Sequence, residues 1–331
     1  MRPLHPIAIL VMGAILFNVN SNSAKSNSIQ SNSVQSNSQR FKQQPSIGSC
    51  QNLAERVNEL AEGFQYTEGP AWDKRRERWM FSDVTGDIVY GITPDGVLTR
   101  IRTQAGFPNG RAFRKDGKVV VAQHDRTLDL VDGDGTNFMR LVDSYKGKTL
   151  NSPNDVSIAK DGSIYFTDPM FGIQGYGPEK AESELGYAGI YKLANGQLSL
   201  VNKELATPNG IAITKDQKTL IVSDTSTDQL FSIDLTSYKG KPVAATLLAT
   251  LNKLNDGVEG HGPDGLKIAA DGSIWTTGKG GIHVLEADGT FKCGIPFPTH
   301  VANLGFGGNN NEFILVTAGN KIYKITLRQK H

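Results

Sequence analysis

A phrase that recurs along the chain constrains its fold more than any other feature. It consists of a short apolar run, a turn of the Asp-Gly type and a second run rich in β-forming residues. It occurs at residues 111–123, 156–168, 211–224 and 266–278, with fainter copies at 70–83 and 304–317. Two strand-like runs joined by a turn of two to four residues are typical of a β-hairpin. The 36 glycines, about 11% of the 331 residues against a usual ~7%, agree with many turns and argue against a helical bundle.

A second hairpin phrase follows each of the first five copies. It occupies residues 88–101, 128–142, 189–201, 230–250 and 281–295. Each unit therefore holds about four strands, and a repeat of four strands every 40 to 55 residues or so predicts a β-propeller with four-stranded antiparallel blades. We count six units, with five or seven as the competing counts. The sixth, 304–327, is one strand short, and residues 54–65 are expected to supply that strand and close the ring.

One residue with a side-chain oxygen stands just ahead of the inner strand of every unit. These residues follow one another at intervals of 41, 45, 55, 55 and 39 residues, and they are Glu68, Asn109, Asn154, Asn209, Asp264 and Asn303. Equivalent positions in a ring of repeats lie at equivalent radii, so we expect the six side chains to meet in the central channel. Oxygen ligands with two negative charges suit one hard divalent cation, Ca²⁺ first, with Zn²⁺, Mn²⁺ or Mg²⁺ as alternatives. The competing interpretation is that Pro-Asn-Gly and Pro-Asp-Gly are simply favourable turns.

The first 50 residues differ from the rest. Arg2 precedes an uncharged apolar run at 7–17, and small polar residues follow, so that 1–23 resembles a secretory signal peptide. The run is too short to cross a bilayer, although an uncleaved anchor is the alternative. Residues 24–49 repeat Ser-Asn-Ser and are predicted to form a disordered tether, leaving 50–331 for a single propeller domain. We therefore expect an exported protein, periplasmic or secreted, with no membrane contact after cleavage.

The chain has two cysteines, Cys50 and Cys293. In the oxidising compartment that an export signal implies, they can form a single disulfide between the start of the domain and its last sixth. Two unpaired thiols are the alternative.

The sequence lacks the motifs and charge patterns of several function classes, which it therefore argues against. The 35 basic and 33 acidic residues are interspersed, without the basic stripe that a nucleic-acid partner requires. The sequence has no GxSxG motif of a serine hydrolase, no Cys/His zinc cluster, and no nucleotide-binding glycine motif.

Seven motifs resemble those of the senescence marker protein / gluconolactonase / luciferin-regenerating enzyme family. They are TEGPAW at 67–72, NSPNDV at 151–156, YFTDP at 165–169, TPNGIAI at 207–213, VSDT at 222–225, GPDGLKI at 262–268 and NLGFGG at 303–308. The resemblance covers about 60–327 and implies a six-bladed propeller with one divalent cation in its channel. The cation ligands that it implies are Glu68, Asn154, Asn209 and Asp264.

The same resemblance implies a metal-dependent hydrolase of carboxylic esters that opens a sugar lactone, as in the conversion of glucono-lactone to gluconate. The cation would polarise the lactone carbonyl and Asp264 would activate the water, with Glu68 as the reserve base and a ligand-only Asp264 as an alternative. Other open functions are an esterase or phosphotriesterase using the same cation, and a non-catalytic binding propeller with a structural cation.

Candidate substrate contacts complete the predicted site. Asn109 is expected to bind sugar hydroxyls and Asn154 to contact the substrate, and His124 is expected to orient substrate or carry a proton unless it is structural. Ser152 is a further candidate substrate contact; it stands where animal family members have an arginine, so an arginine contact to the sugar is not carried over to this chain. The insertion 168–191 resembles a loop of bacterial gluconolactonases and is expected to form a lid or wall, unless it is a surface decoration. Weaker candidates for the pocket or its surroundings are Tyr66, Phe171, His261 and His300.

Overall fold

The computed structural model describes residues 45–258 and 261–329, which are built almost entirely of β-strands. The predicted signal segment 1–23 and most of the predicted tether 24–49 lie outside the described residues. In the described part of the chain, no helix is long and apolar enough to cross a membrane.

The strands form six four-stranded antiparallel blades, which confirms the predicted all-β, six-bladed propeller. The first strand, β1 (Ala54–Glu62), belongs to the last blade. Blade 1 contains β2 (Thr67–Asp73), β3 (Arg78–Asp83), β4 (Ile88–Ile92) and β5 (Leu98–Thr103). Blade 2 contains β6 (Pro108–Phe113), β7 (Val119–Gln123), β8 (Thr127–Val131) and β9 (Phe138–Val142). A small hairpin follows, formed by β10 (Ser144–Tyr145) and β11 (Lys148–Thr149).

The second half of the ring continues the same pattern. Blade 3 contains β12 (Val156–Ile158), β13 (Ile164–Asp168), β14 (Gly189–Ala194) and β15 (Gln197–Asn202), with a single π-helical turn (Gly172–Tyr176) between β13 and β14. Blade 4 contains β16 (Pro208–Ile213), β17 (Thr219–Asp224), β18 (Gln229–Asp234) and β19 (Thr246–Thr250). Blade 5 contains β20 (Leu266–Ile268), β21 (Ile274–Gly278), β22 (Gly281–Leu285) and β23 (Phe291–Pro296). Blade 6 contains β24 (Asn303–Gly307), β25 (Phe313–Ala318) and β26 (Lys321–Leu327), with β1 outermost.

The repeated phrases form hairpins as predicted. In the turn between β12 and β13, Gly162 has φ 90°, a conformation that glycine adopts without strain, and Asp161 Oδ1 accepts from Ser163 N at 2.8 Å. The equivalent turn of blade 5 repeats both features, with Gly272 at φ 91° and a 3.0 Å bond from Ser273 N to Asp271 Oδ1. The Asp-Gly phrase therefore determines where the first strand of a blade ends and the second begins.

Apolar packing holds neighbouring blades together. Six clusters of buried side chains lie one between each pair of neighbouring blades, in the described part of the chain. The second strand of a blade contributes most, because both of its faces are covered; every residue of β7, β13 and β21 is buried. Full burial of one valine or isoleucine contributes about 1.5–3 kcal/mol, so each interface stabilises the ring substantially.

Both ends of the domain meet in blade 6. Strand β1 pairs antiparallel with β26, which confirms that the residues after 54 complete the last blade. Cys50 and Cys293 form a disulfide, with their Cα atoms 5.2 Å apart, so the predicted pairing is confirmed and the alternative of free thiols is wrong. Since Cys293 lies on the outer strand of blade 5, the bond ties the start of the closing strand to the neighbouring blade.

Candidate active site

A cavity lies where the inner strands begin. Each inner strand packs against those of the two neighbouring blades, in the closed order β2, β6, β12, β16, β20, β24. The cavity is lined by Tyr66, Glu68, Asn109, His124, Asn154, Phe171, Tyr176, Asn209, Thr225, His261 and Asp264. Five of the six predicted channel residues are in this lining. The sixth, Asn303, lies behind it and donates through Nδ2 to Glu68 Oε2 at 3.0 Å.

A glycine follows four of the six channel residues, and Gly110 and Gly210 show its packing role. A Cβ at Gly110 would lie 2.5 Å from the carbonyl oxygen of Asn154, and one at Gly210 would lie 2.3 Å from that of Asp264. The amide nitrogens of these glycines donate to the same two oxygens, at 2.7 and 3.0 Å. Pro-Asn-Gly therefore begins an inner strand and allows the next blade to approach, instead of forming a hairpin turn.

Register shifts also help to aim the channel side chains. The pairing of β2 with β3 shifts between Glu68 and Ala71, and the pairing of β16 with β17 shifts between Pro208 and Ile211. Such bulges redirect side chains at the ends of strands.

Two buried carboxylates face the cavity, Glu68 at 2% and Asp264 at 6% exposure. Burial raises the pKa of Glu68 well above its usual value, and the charge of Asp264 raises it further. Burial likewise raises the pKa of Asp264 to about 8, and the charge of Asp155 adds to this effect. Two carboxylates that cannot both ionise without compensation require a proton or a cation between them.

The side-chain oxygen of Asn209 is a hydrogen-bond acceptor in the same cavity as Glu68 and Asp264. Asn209 Nδ2 donates to Thr225 Oγ1 at 3.0 Å, and that hydroxyl donates to the carbonyl oxygen of Pro263 at 2.8 Å. Asn209 Oδ1 is buried and has no hydrogen-bond partner among the described residues. With Glu68, Asp264 and the nearby Asn154, this set of oxygen donors fits a hard divalent cation. No cluster of three or more His, Cys, Asp or Glu side chains suited to a metal occurs in ranges 45–258 and 261–329. The predicted ligand set contains two carboxylates, and its other two members are asparagines.

His124 and Asn109 form a hydrogen-bonded pair on one wall. His124 Nε2 is 2.8 Å from Asn109 Nδ2, and His124 Nδ1 is 3.1 Å from the carbonyl oxygen of Tyr176. Burial lowers the pKa of His124 to about 4, so the ring is neutral near pH 7. This pair brings two predicted substrate contacts into the cavity lining.

The insertion 168–191 supplies part of the cavity wall. Its residues Phe171 and Tyr176 line the cavity, and the Tyr176 ring lies 5.4 Å from that of Tyr66. Ser152, which was predicted as a substrate contact, is not in the lining, because its Oγ donates to the carbonyl oxygen of Pro169 at 2.6 Å and accepts from Gly172 N at 2.9 Å. The Ser152 hydroxyl therefore fixes the first residues of the insertion without facing the cavity itself.

Two further histidines lie beside Asp264. His261 lines the cavity, and its ring is 5.6 Å from that of His300. His300 Nε2 lies 3.6 Å from Asp264 Oδ2, too far for a hydrogen bond. Burial lowers the pKa of both rings.

The opposite half of the channel has a different lining. A second cavity there is walled mainly by apolar side chains, together with Arg111, Ser157 and Lys267. Lys267 Nζ lies 3.3 Å from Asp155 Oδ2 and 3.4 Å from Asn303 Oδ1. Burial lowers the pKa of Arg111 to about 9, which the charge of Glu68 partly opposes.

The sequence analysis did not identify Tyr176 or Thr225 as part of the site. Thr225 ends the VSDT motif directly after β17, so its position next to a strand end was an available signal. Tyr176 lies in a glycine-rich insertion that has no periodicity, and only the folded loop places it.

Known proteins resemble this chain over most of its length. The family model for the SMP-30/Gluconolactonase/LRE-like region matches residues 66–320. The chain belongs to this family. A gluconolactonase from Zymomonas mobilis is 32% identical over 267 residues, covering 75% of this chain and 74% of the relative.

Solved structures extend the comparison. A gluconolactonase from Xanthomonas campestris superposes with a TM-score of 0.77 at 28% identity, over 86% of this chain and 95% of that one. A calcium-binding regucalcin from Agrobacterium tumefaciens shares the fold, with a TM-score of 0.68 at 19% identity over 84% and 96% of the two chains. The relatives in this family named as lactonases confirm the prediction of a lactonase-type hydrolase of carboxylic esters.

Proposed function

We propose that this chain hydrolyses a sugar lactone to the free acid, with glucono-δ-lactone and gluconate as the first pair to test. One observation carries the proposal: two buried carboxylates and a buried amide oxygen without a partner among the described residues converge on one cavity. The gluconolactonase from Zymomonas supports the choice of substrate.

A divalent cation, Ca²⁺ first among Zn²⁺, Mn²⁺ and Mg²⁺, is the proposed cofactor. Glu68, Asn154, Asn209 and Asp264 would hold it. When bound, the cation would supply Lewis-acid chemistry that polarises the lactone carbonyl. The hydrogen bond from Asn209 Nδ2 to Thr225 supports this assignment, because it fixes which amide atom is left free to bind.

Asp264 is the proposed general base. It would take a proton from water while the water oxygen bonds to the carbonyl carbon. When the bond from that carbon to the ring oxygen breaks, the proton would pass to the ring oxygen, leaving a hydroxyl and a carboxylic acid. Burial favours this role because it raises the pKa of Asp264, whereas a nearby cation acts in the opposite direction.

The remaining cavity walls are the proposed substrate contacts. Asn109 and Asn154 would bind the polar groups of the lactone, and Tyr66, Phe171 and Tyr176 would cover its apolar face. Ser152 would act on the substrate only indirectly, by holding the loop that carries Phe171.

The test is hydrolysis of glucono-δ-lactone by the purified protein, corrected for the spontaneous rate. We expect activity above that rate, its loss in EDTA, and its return when one of the four cations is added back. Calorimetric binding of the same cation provides a readout that is independent of turnover. Full activity after complete removal of metal would overturn the metal-dependent mechanism.

We also propose export, which the Cys50–Cys293 disulfide supports because such bonds persist in oxidising compartments. Fractionation of cells that produce the full chain or a chain without residues 1–23 would test it. Equal distribution of the two forms would contradict export by this segment.

A further inference from the structure

The insertion 168–191 is linked to Asn109, a residue of the cavity lining, through the ring of His124. A carbonyl oxygen only accepts hydrogen bonds, so the contact between Tyr176 O and His124 Nδ1 requires a proton on Nδ1. A neutral ring with a proton on Nδ1 has a lone pair on Nε2. His124 is 3% exposed, so the neutral form is the one that its surroundings favour.

The histidine in turn determines the orientation of an amide. Since Nε2 accepts, the Asn109 atom 2.8 Å away must be the N–H₂ group, and Oδ1 must occupy the other side. Asn109 Oδ1 is buried without a partner among the described residues, and Asn109 lines the cavity. A buried acceptor left unpaired is costly, so this position favours a ligand that brings a hydrogen-bond donor.

We infer that His124 is a positioning residue, held by the Tyr176 carbonyl, that keeps Asn109 Oδ1 available to accept a hydrogen bond from a hydroxyl of the substrate. This inference rests on the proposed lactonase function and refines its substrate class. The carbonyl and ring oxygens of a lactone are acceptors, and only the sugar hydroxyls donate. The fixed amide therefore selects hydroxylated lactones over unsubstituted ones, whereas a rotated amide would lose this preference.

The loop packs closely enough to keep this arrangement in place. A Cβ added to Gly172 would lie 2.9 Å from His124 Cβ, and one added to Gly177 would lie 2.7 Å from the His124 carbonyl oxygen. The Ser152 hydroxyl holds the base of the same turn.

The test compares two substrates, glucono-δ-lactone and δ-valerolactone, which has the same ring without hydroxyls. We expect His124→Phe to lower kcat/KM for glucono-δ-lactone about 10- to 100-fold, mainly through KM, with a change below about threefold for δ-valerolactone. His283→Phe is the matched control, because His283 is 1% exposed in β22 and lies outside the cavity lining. It should leave the ratio between the two substrates unchanged.

Equal losses on both substrates would overturn the inference and leave the lactonase function standing, whereas a wild-type protein inactive on both would overturn the function itself. If His124→Phe does not fold, Asn109→Ala replaces it, with the same selective loss expected. Independently, ¹⁵N NMR of wild-type His124 near pH 7 should show a proton on Nδ1 and none on Nε2. A proton on Nε2 would overturn the inference.

Discussion

The two halves of the central channel are built by the same six inner strands but differ in how their polar groups are satisfied. Where the strands begin, Glu68 and Asp264 are buried together, and Asn209 Oδ1 has no partner among the described residues. In the other half, Lys267 lies within 3.3 Å of Asp155, and the walls are mainly apolar. We conclude that one half is arranged to bind a ligand and the other to stabilise the ring, so substitutions in the two halves should affect different quantities.

The largest expected effect is on turnover, from Asp264→Asn. Loss of the general base should lower kcat for glucono-δ-lactone about 10²- to 10⁴-fold, with the melting temperature retained. Asp129→Asn is the matched control, since Asp129 is also buried, at 3% exposure, but lies on β8 away from the cavity. If the two variants lose the same activity, Asp264 has no special chemical role.

A second comparison concerns acid stability, which should not depend on whether a buried histidine lines the cavity. Burial lowers the pKa of both His124 and His283 from 6.5 to about 4. Between these values the unfolded chain binds more protons, so the free energy of unfolding falls as the pH falls from 6.5 to 4. Each histidine should account for about 3 kcal/mol of this fall.

Denaturant titrations from pH 7 to pH 4 would measure it. His124→Phe and His283→Phe should each reduce the fall by a similar amount, although only the first changes substrate preference. A pH dependence identical to that of the wild type in either variant would show that the ring concerned is not kept neutral by the fold.

The half of the channel that stabilises the ring is tested by Lys267→Met. This variant leaves the buried Asp155 carboxylate without the Lys267 ammonium group that faces it. We expect the free energy of unfolding to fall by about 2 kcal/mol, less than for a fully buried pair because Lys267 is 24% exposed. The double variant Lys267→Met with Asp155→Asn should recover much of the loss, because the uncompensated charge is gone. A larger loss in the double variant would contradict this view of the pair.

The smallest expected effect is that of Thr225→Val, which removes the acceptor that orients Asn209. Affinity for the cation, measured by calorimetry, should fall about tenfold. Thr276→Val, at a buried threonine in blade 5 outside the cavity lining, should leave it unchanged. Unchanged affinity in Thr225→Val would show that Asn209 needs no such support.

The sequence predicted the repeating parts of the molecule better than the single ones. Each blade contains the same hairpin phrase, so a faint copy can be recognised by its similarity to the clear ones. The assignment of β1 to blade 6 was also correct. The channel positions of Glu68, Asn109, Asn154, Asn209 and Asp264 followed from the same period. The hairpin of β10 and β11 occurs once and was not predicted.

The contacts of the insertion 168–191 could not be inferred from a period either. That Tyr176 presents a carbonyl oxygen to His124 depends on the path of a unique loop, and so does the position of Ser152 behind the cavity lining. Local sequence indicates that a long loop exists beside a channel, but its contacts arise only when tertiary packing fixes its backbone.

The pairing of β1 with β26 has a consequence for how this chain is made. The ribosome produces β1 first and its partner strand last, with 243 residues separating Cys50 from Cys293. Blades 1 to 5 are each formed from one continuous segment of the chain and can fold as that segment leaves the ribosome. Strand β1 has no partner strand until β26 has been synthesised. A nascent chain that stops before β26 would therefore hold five complete sheets and an open ring, exposed to aggregation at both free faces.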